Sequence, residues 1–182
     1  MEYAVDEILA ARLKNIEMMI FDVDGVLTDG RLYYGESGEA LKVFNVQDGY
    51  GMKALVDAGI VTAILSGRDH PAVTRRARDV AVSHVLQGIS DKRAALGRLL
   101  SEIGKAAENC GFMGDDCIDI EVMQSVGFAA TVPNAADGVA RHAHWISRRS
   151  GGEGAVREVC DLILRAREPV ATSDSACVTA PL

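Results

Sequence analysis

Apolar residues along the chain fall into short unbroken runs separated by longer amphipathic stretches. Residues 17–23 read EMMIFDV, residues 60–65 read IVTAIL, and similar runs occupy 110–113 and 127–131, with a shorter one at 84–86. A run that is apolar at every position is what a strand buried on both faces requires. Segments with helical spacing lie between them, at about 49–58, 70–80, 91–103, 117–126, 135–142 and 154–166, and Gly59, Gly104 and Gly127 stand where helices stop. Strands alternating with helices predict crossover connections, hence a doubly wound α/β fold with a mostly parallel, Rossmann-like sheet. Residues 31–46 break the alternation: two strand-like halves around Gly35-Glu36-Ser37-Gly38 predict a β-hairpin flap. One domain is expected over 1–166. Residues 167–182, rich in Pro, Ala, Thr and Ser, have little to bury and are expected to be disordered.

Composition narrows the functional classes. The chain has 182 residues, enough for one ordinary core, and a formal charge of −7, which disfavours wrapping nucleic acid. No apolar run approaches the roughly 20 residues that cross a bilayer, and the first fifteen residues are amphipathic, so a cytoplasmic protein without a membrane partner is expected. Cys110, Cys117, Cys160 and Cys177 are scattered and read as free thiols. His142 and His144 form an H-x-H pair with no further ligands nearby.

The chemistry is concentrated after the strands. Asp22 and Asp24 stand at the end of the first run, followed by Gly25. Two buried carboxylates repel each other and lose hydration, so a cation must offset them; Mg²⁺, a hard ion that takes carboxylate and carbonyl oxygens, is the natural one. By itself the pair could equally cap a helix. However, Ser66-Gly67-Arg68 ends the second long run, Lys92 opens a later helix, and Asp115, Asp116 and Asp119 follow the strand ending at Met113. Residues beyond the carboxyl ends of neighbouring parallel strands share one crevice. Together they supply what phosphoryl transfer needs: a nucleophile (Asp22), a metal clamp, fixed donors (Ser66, Lys92) and an acid/base (Asp24).

FDVDGVLTDG, LSGR, Lys92 and GDDCID resemble the four motifs of the haloacid dehalogenase superfamily of phosphatases, over about residues 15–165. The resemblance implies Asp22 as nucleophile and Mg²⁺ ligand, Asp24 as acid/base and a ligand through its carbonyl, Asp115 as third ligand and Asp119 as a supporting one. Only the hairpin lies between Asp22 and Ser66, so no cap domain is expected, and an uncapped site calls for a neighbouring chain. LKVFNVQDGYGMKAL and GGEGAVREV resemble a tetrameric branch of the superfamily that acts on eight-carbon sugar-acid phosphates. That similarity implies a homotetramer and contacts from Asp24, Asn45, Val46, Gln47, Asp48, Gly49, Lys53, Ser66, Gly67, Arg68, Arg76 and Lys92 to the sugar-acid phosphate. It also implies a role in making the inner-core sugar of lipopolysaccharide. Arg68 favours the eight-carbon over a nine-carbon substrate. A broader sugar phosphatase, a receiver-like signalling module and a non-catalytic Mg²⁺/phosphate binder remain alternatives.

Overall fold

The structure is a computed structural model and describes residues 6–168. β1 (Met18–Phe21) lies at the centre of a six-stranded sheet with β4 (Val61–Leu65), β5 (His84–Leu86), β6 (Cys110–Met113), β7 (Phe128–Thr131) and β8 (Trp145–Ile146). The order is β5-β4-β1-β6-β7-β8 and every pairing is parallel. All four residues of β1 are buried because both faces are covered. Met19 and Phe21 join the core under α1 (Glu7–Lys14), α2 (Val46–Asp57), α3 (Pro71–Asp79) and α6 (Ala155–Arg167). Met18 and Ile20 face the core under α4 (Lys92–Ile103) and α5 (Ile120–Met123). Full burial of a side chain such as Phe21 contributes about 1.5–3 kcal/mol, so the strand that carries Asp22 is firmly held.

The chain leaves β1 towards β4 and β5 on one side and later places β6, β7 and β8 on the other. The strand order therefore reverses between β1 and β6, where open α/β sheets place their ligands. Register puts Phe21 opposite both Ile64 and Met113, so Asp22, Ser66 and Asp115 emerge from three adjacent strands at nearly one level.

The hairpin is shorter than 31–46: β2 (Tyr33–Gly35) pairs antiparallel with β3 (Gly38–Leu41), with a register shift at Tyr33/Tyr34. No separate cap domain is found among the described residues. The helix expected at 135–142 is instead a series of turns ending in a 3₁₀ turn, Ala140–His142; Gly138 at φ +85° interrupts any helix there. Likewise 117–126 divides into a 3₁₀ turn, Cys117–Asp119, and the short α5. The two-residue strand β8 was not anticipated. α6 runs to Arg167, one residue past the expected boundary, while the remainder of the expected tail, 169–182, lies outside the described residues together with Cys177. No helix among the described residues is long and apolar enough to cross a membrane.

Candidate active site

After β1 the backbone winds through one wide turn, Val23–Leu27, in which Gly25 takes φ +89°. A Cβ there would stand 2.0 Å from Asp115 Oδ2, so only glycine lets the two loops close over the strand ends. A second glycine loop braces the turn. Gly152 N–H donates to the Val26 carbonyl at 3.0 Å, and a Cβ on Gly151 would meet the Gly25 carbonyl oxygen at 1.7 Å.

Asp22, 5% exposed, receives the Lys92 ammonium at 3.0 Å on Oδ1. Lys92 opens α4, whose cap Asp91 accepts from Ala94 N–H, and the same ammonium lies 2.7 Å from Asp119 Oδ1. Asp119 is fully buried; its Oδ2 accepts from the N–H groups of Asp115 (3.0 Å) and Asp116 (3.1 Å), which shapes the acidic loop. One oxygen from each of Asp22, Asp115 and Asp119 lies within 4.8 Å of the others. Burial, and then the Asp119 charge, push the Asp22 carboxyl up to about 7. Burial, then the charges of Asp22, Asp119 and Asp116, do the same to Asp115. For Lys92 burial opposes the charge, but Asp22 and Asp119 prevail and raise its pKa.

Three carboxylates thus cluster with one ammonium, which pairs with only two of them, and Asp115 Oδ1 is buried with no hydrogen-bond partner. An unpartnered buried carboxylate oxygen facing excess negative charge is costly unless a cation meets it. The donor set, all oxygen, suits a hard divalent ion. Asp119 already uses both oxygens on Lys92 and the loop, so it orders the site, whereas Asp22 and Asp115 have oxygens to give.

Ser66, 2% exposed, follows β4; its backbone N–H continues the pairing to the Leu86 carbonyl and its Oγ accepts from Arg68 N–H at 3.3 Å. Gly67 needs no special space, since its nearest neighbour would be 3.7 Å from a Cβ. Asp24 is not one of the three clustered carboxylates; it binds Lys42, with Arg68 Nε 3.8 Å from its other oxygen. Lys42 and its partner Glu39 are site residues that sequence reading missed.

The residues expected around the start of α2 have other partners. Asn45 caps the helix through Gln47 N–H and donates to the Gly152 carbonyl, and Arg76 Nη2 donates to the Asn45 carbonyl at 3.0 Å, beside Gly49. Asp48 is 1% exposed and its Oδ1 accepts from Arg157 N–H at the start of α6 (2.8 Å). That oxygen caps the start of α6, while Oδ2 is buried without a hydrogen-bond partner. Gln47 accepts from Arg149, Val46 is exposed, and Lys53 pairs with Asp57 at 3.6 Å; none of these contacts reaches the carboxylate cluster. His142 and His144 do not form a metal pair: Nδ1 of the first lies 3.1 Å from Gln124 Nε2, and that of the second accepts from Ala129 N–H.

A phosphoryl-transfer hydrolase of the haloacid dehalogenase type is the class this fold and crevice define. Residues 81–159 match the family of haloacid dehalogenase-like hydrolases. Over 157 residues, 86% of this chain and 84% of the relative, the sequence is 44% identical to the 3-deoxy-D-manno-octulosonate 8-phosphate phosphatase KdsC of Escherichia coli (strain K12). A probable YrbI family phosphatase from Pseudomonas syringae superposes with a TM-score of 0.87 at 48% identity, covering 89% of this chain and 92% of that one. The 3-deoxy-D-manno-octulosonate 8-phosphate phosphatase of Moraxella catarrhalis, in complex with magnesium, phosphate and KDO, superposes with a TM-score of 0.85 at 41% identity, covering 88% and 92%. The chain belongs to the haloacid dehalogenase-like hydrolases and, within them, to the family of the 3-deoxy-D-manno-octulosonate 8-phosphate phosphatases.

Proposed function

We propose that this phosphatase hydrolyses 3-deoxy-D-manno-octulosonate 8-phosphate to the free sugar acid and inorganic phosphate, with Asp22 as nucleophile. The observation that carries the assignment is the Asp22 carboxylate held by Lys92 at 3.0 Å beside the unpartnered Asp115 oxygen, at the reversal point of the sheet. Asp22 attacks phosphorus as the bond to the sugar oxygen breaks, and Asp24 gives that oxygen a proton. Asp24 then takes a proton from the water that attacks phosphorus and frees Asp22. Lys92 and the Ser66 hydroxyl hold phosphoryl oxygens. Asp22, Asp115 and the Asp24 carbonyl would hold magnesium, with Asp119 in support, and the ion would supply positive charge to offset the phosphoryl oxygens.

Arg68, 42% exposed at the side chain, stands at the crevice mouth as a cation suited to a sugar-acid carboxylate. The working form in this reading is a homotetramer in the cytoplasm, serving synthesis of the inner-core sugar of lipopolysaccharide. The exposed Tyr34 (66%), Val46 (79%) and Tyr50 (65%) around the hairpin and the start of α2 support an assembly that covers them and brings Gln47, Lys53 and Arg76 to a neighbouring site. The mechanism is tested by acid-quenching a rapid reaction and mapping the phosphoryl group by mass spectrometry. Phosphate on the Asp22 peptide is expected; phosphate on another residue, or none during turnover, would remove Asp22 from the role.

A further inference from the structure

The hairpin carries a charged network into the site. Just past β3, Lys42 turns inward until only 2% of its side chain is exposed. Its ammonium is hydrogen-bonded to Asp24 Oδ1 and lies 2.7 Å from Glu39 Oε1. Arg68 closes the ring: Nη2 reaches Glu39 Oε2 at 2.7 Å and Nε lies 3.8 Å from Asp24 Oδ2. For Glu39, whose side chain is 8% exposed, burial raises the pKa, but the contacts with Lys42 and Arg68 prevail and hold it below the usual carboxylate range. Two carboxylates and two cations alternate, so the ring is neutral. The strand that bears it is anchored as well. His70 Nδ1 accepts from Ala72 N–H at 3.1 Å, which leaves the ring proton on Nε2, 3.3 Å from the Glu39 carbonyl.

Ordering and burying a lysine loses up to about 2 kcal/mol of side-chain freedom besides hydration, and a surface hairpin has no need of it. Asp24 does need a partner. Its backbone, at φ −76° and ψ 118°, stands free of the strand, and its other oxygen has only the 3.8 Å ion pair to Arg68.

We propose that Lys42, steadied by Glu39, is a positioning residue that aims the Asp24 carboxyl. The flap thereby contributes to the chemistry of the chain that carries it. The proposal rests on the reading of Asp24 as acid/base. Such a group works only within hydrogen-bond reach of the proton it moves, so loss of aim lowers kcat and leaves substrate binding largely intact.

The experiment is a double-mutant cycle on the full chain with 3-deoxy-D-manno-octulosonate 8-phosphate and Mg²⁺, with folding followed by circular dichroism. Lys42→Met is expected to lower kcat about 30-fold or more while changing KM less than about threefold. In an Asp24→Asn background the same change should alter the residual rate less than about twofold, because the residue it serves is gone. Glu39→Gln, which keeps the Lys42–Asp24 bond, should cost less than Lys42→Met. Should Lys42→Met not fold, Lys42→Gln provides the same cycle. Equal losses in both backgrounds, a loss confined to KM, or no loss would overturn the positioning role. A fully active Asp24→Asn enzyme would instead overturn the acid/base assignment, a separate result.

Discussion

Asp22 and Asp48 are 5% and 1% exposed, and burial raises both carboxyls, to about 7 and about 6. Their surroundings differ. Asp48 faces the first turn of α6, where the backbone N–H groups of Arg157 and Gly154 offset part of its burial, and no second carboxylate adds to the cost. Asp22 faces Asp115 and Asp119, and one ammonium pairs with two of the three. Asp48 also keeps one buried oxygen, Oδ2, without a hydrogen-bond partner, but backbone N–H groups and the cations Arg149 and Arg76 act on it, whereas Asp22 stands among acids. Burial and a raised pKa are common to both, so what the carboxylate faces separates a cap from a catalytic group.

Asp22→Asn should lower kcat by about 10³-fold or more, as loss of a nucleophile does, with the melting temperature kept or raised because one like charge has gone from the cluster. Phosphate-release kinetics and a thermal melt check both parts. Next in size, Mg²⁺ without substrate should raise the wild-type melting temperature, the rise growing with the logarithm of Mg²⁺ concentration above Kd, and Asp115→Asn should remove most of that rise; Asp48→Asn should keep it.

On the other side, Asp48→Ala should act on stability and little on rate. Loss of a cap costs about 0.5–2 kcal/mol, which for a chain of this size lowers the melting temperature by roughly 1–8 °C. Of comparable size in stability is a pH dependence. The folded Asp48 pKa, about 6, exceeds the roughly 3.9 of an unfolded chain, so the native state binds the proton more tightly. Its stabilising contribution is fully present below about pH 4 and is lost as pH rises through about 6. Urea unfolding at pH 4.5 and pH 7 should show wild type losing stability relative to Asp48→Asn across that interval.

The strand ends were legible because a strand buried on both faces leaves an unbroken apolar run, and polar residues just past it have few places to go but the crevice. Asp22, Ser66 and Asp115 were found that way, and Lys92 by its place at a helix start. The helix at 135–142 was misjudged because apolar spacing does not register the φ of Gly138. For Asp48 the resemblance implies a substrate contact, and the α6 backbone that its Oδ1 caps, 109 residues on, has no local mark in the sequence. Lys42 was illegible for a related reason: its burial depends on the register shift in the hairpin and on Asp24, 18 residues earlier, and no local pattern marks either.

Phosphate release from 3-deoxy-D-manno-octulosonate 8-phosphate beside a panel of other sugar phosphates, with and without Mg²⁺, is the direct test of the proposed reaction. Selective, Mg²⁺-dependent release from the eight-carbon substrate is the predicted result. Release that ignores Mg²⁺, or none from this substrate while others turn over, would contradict it.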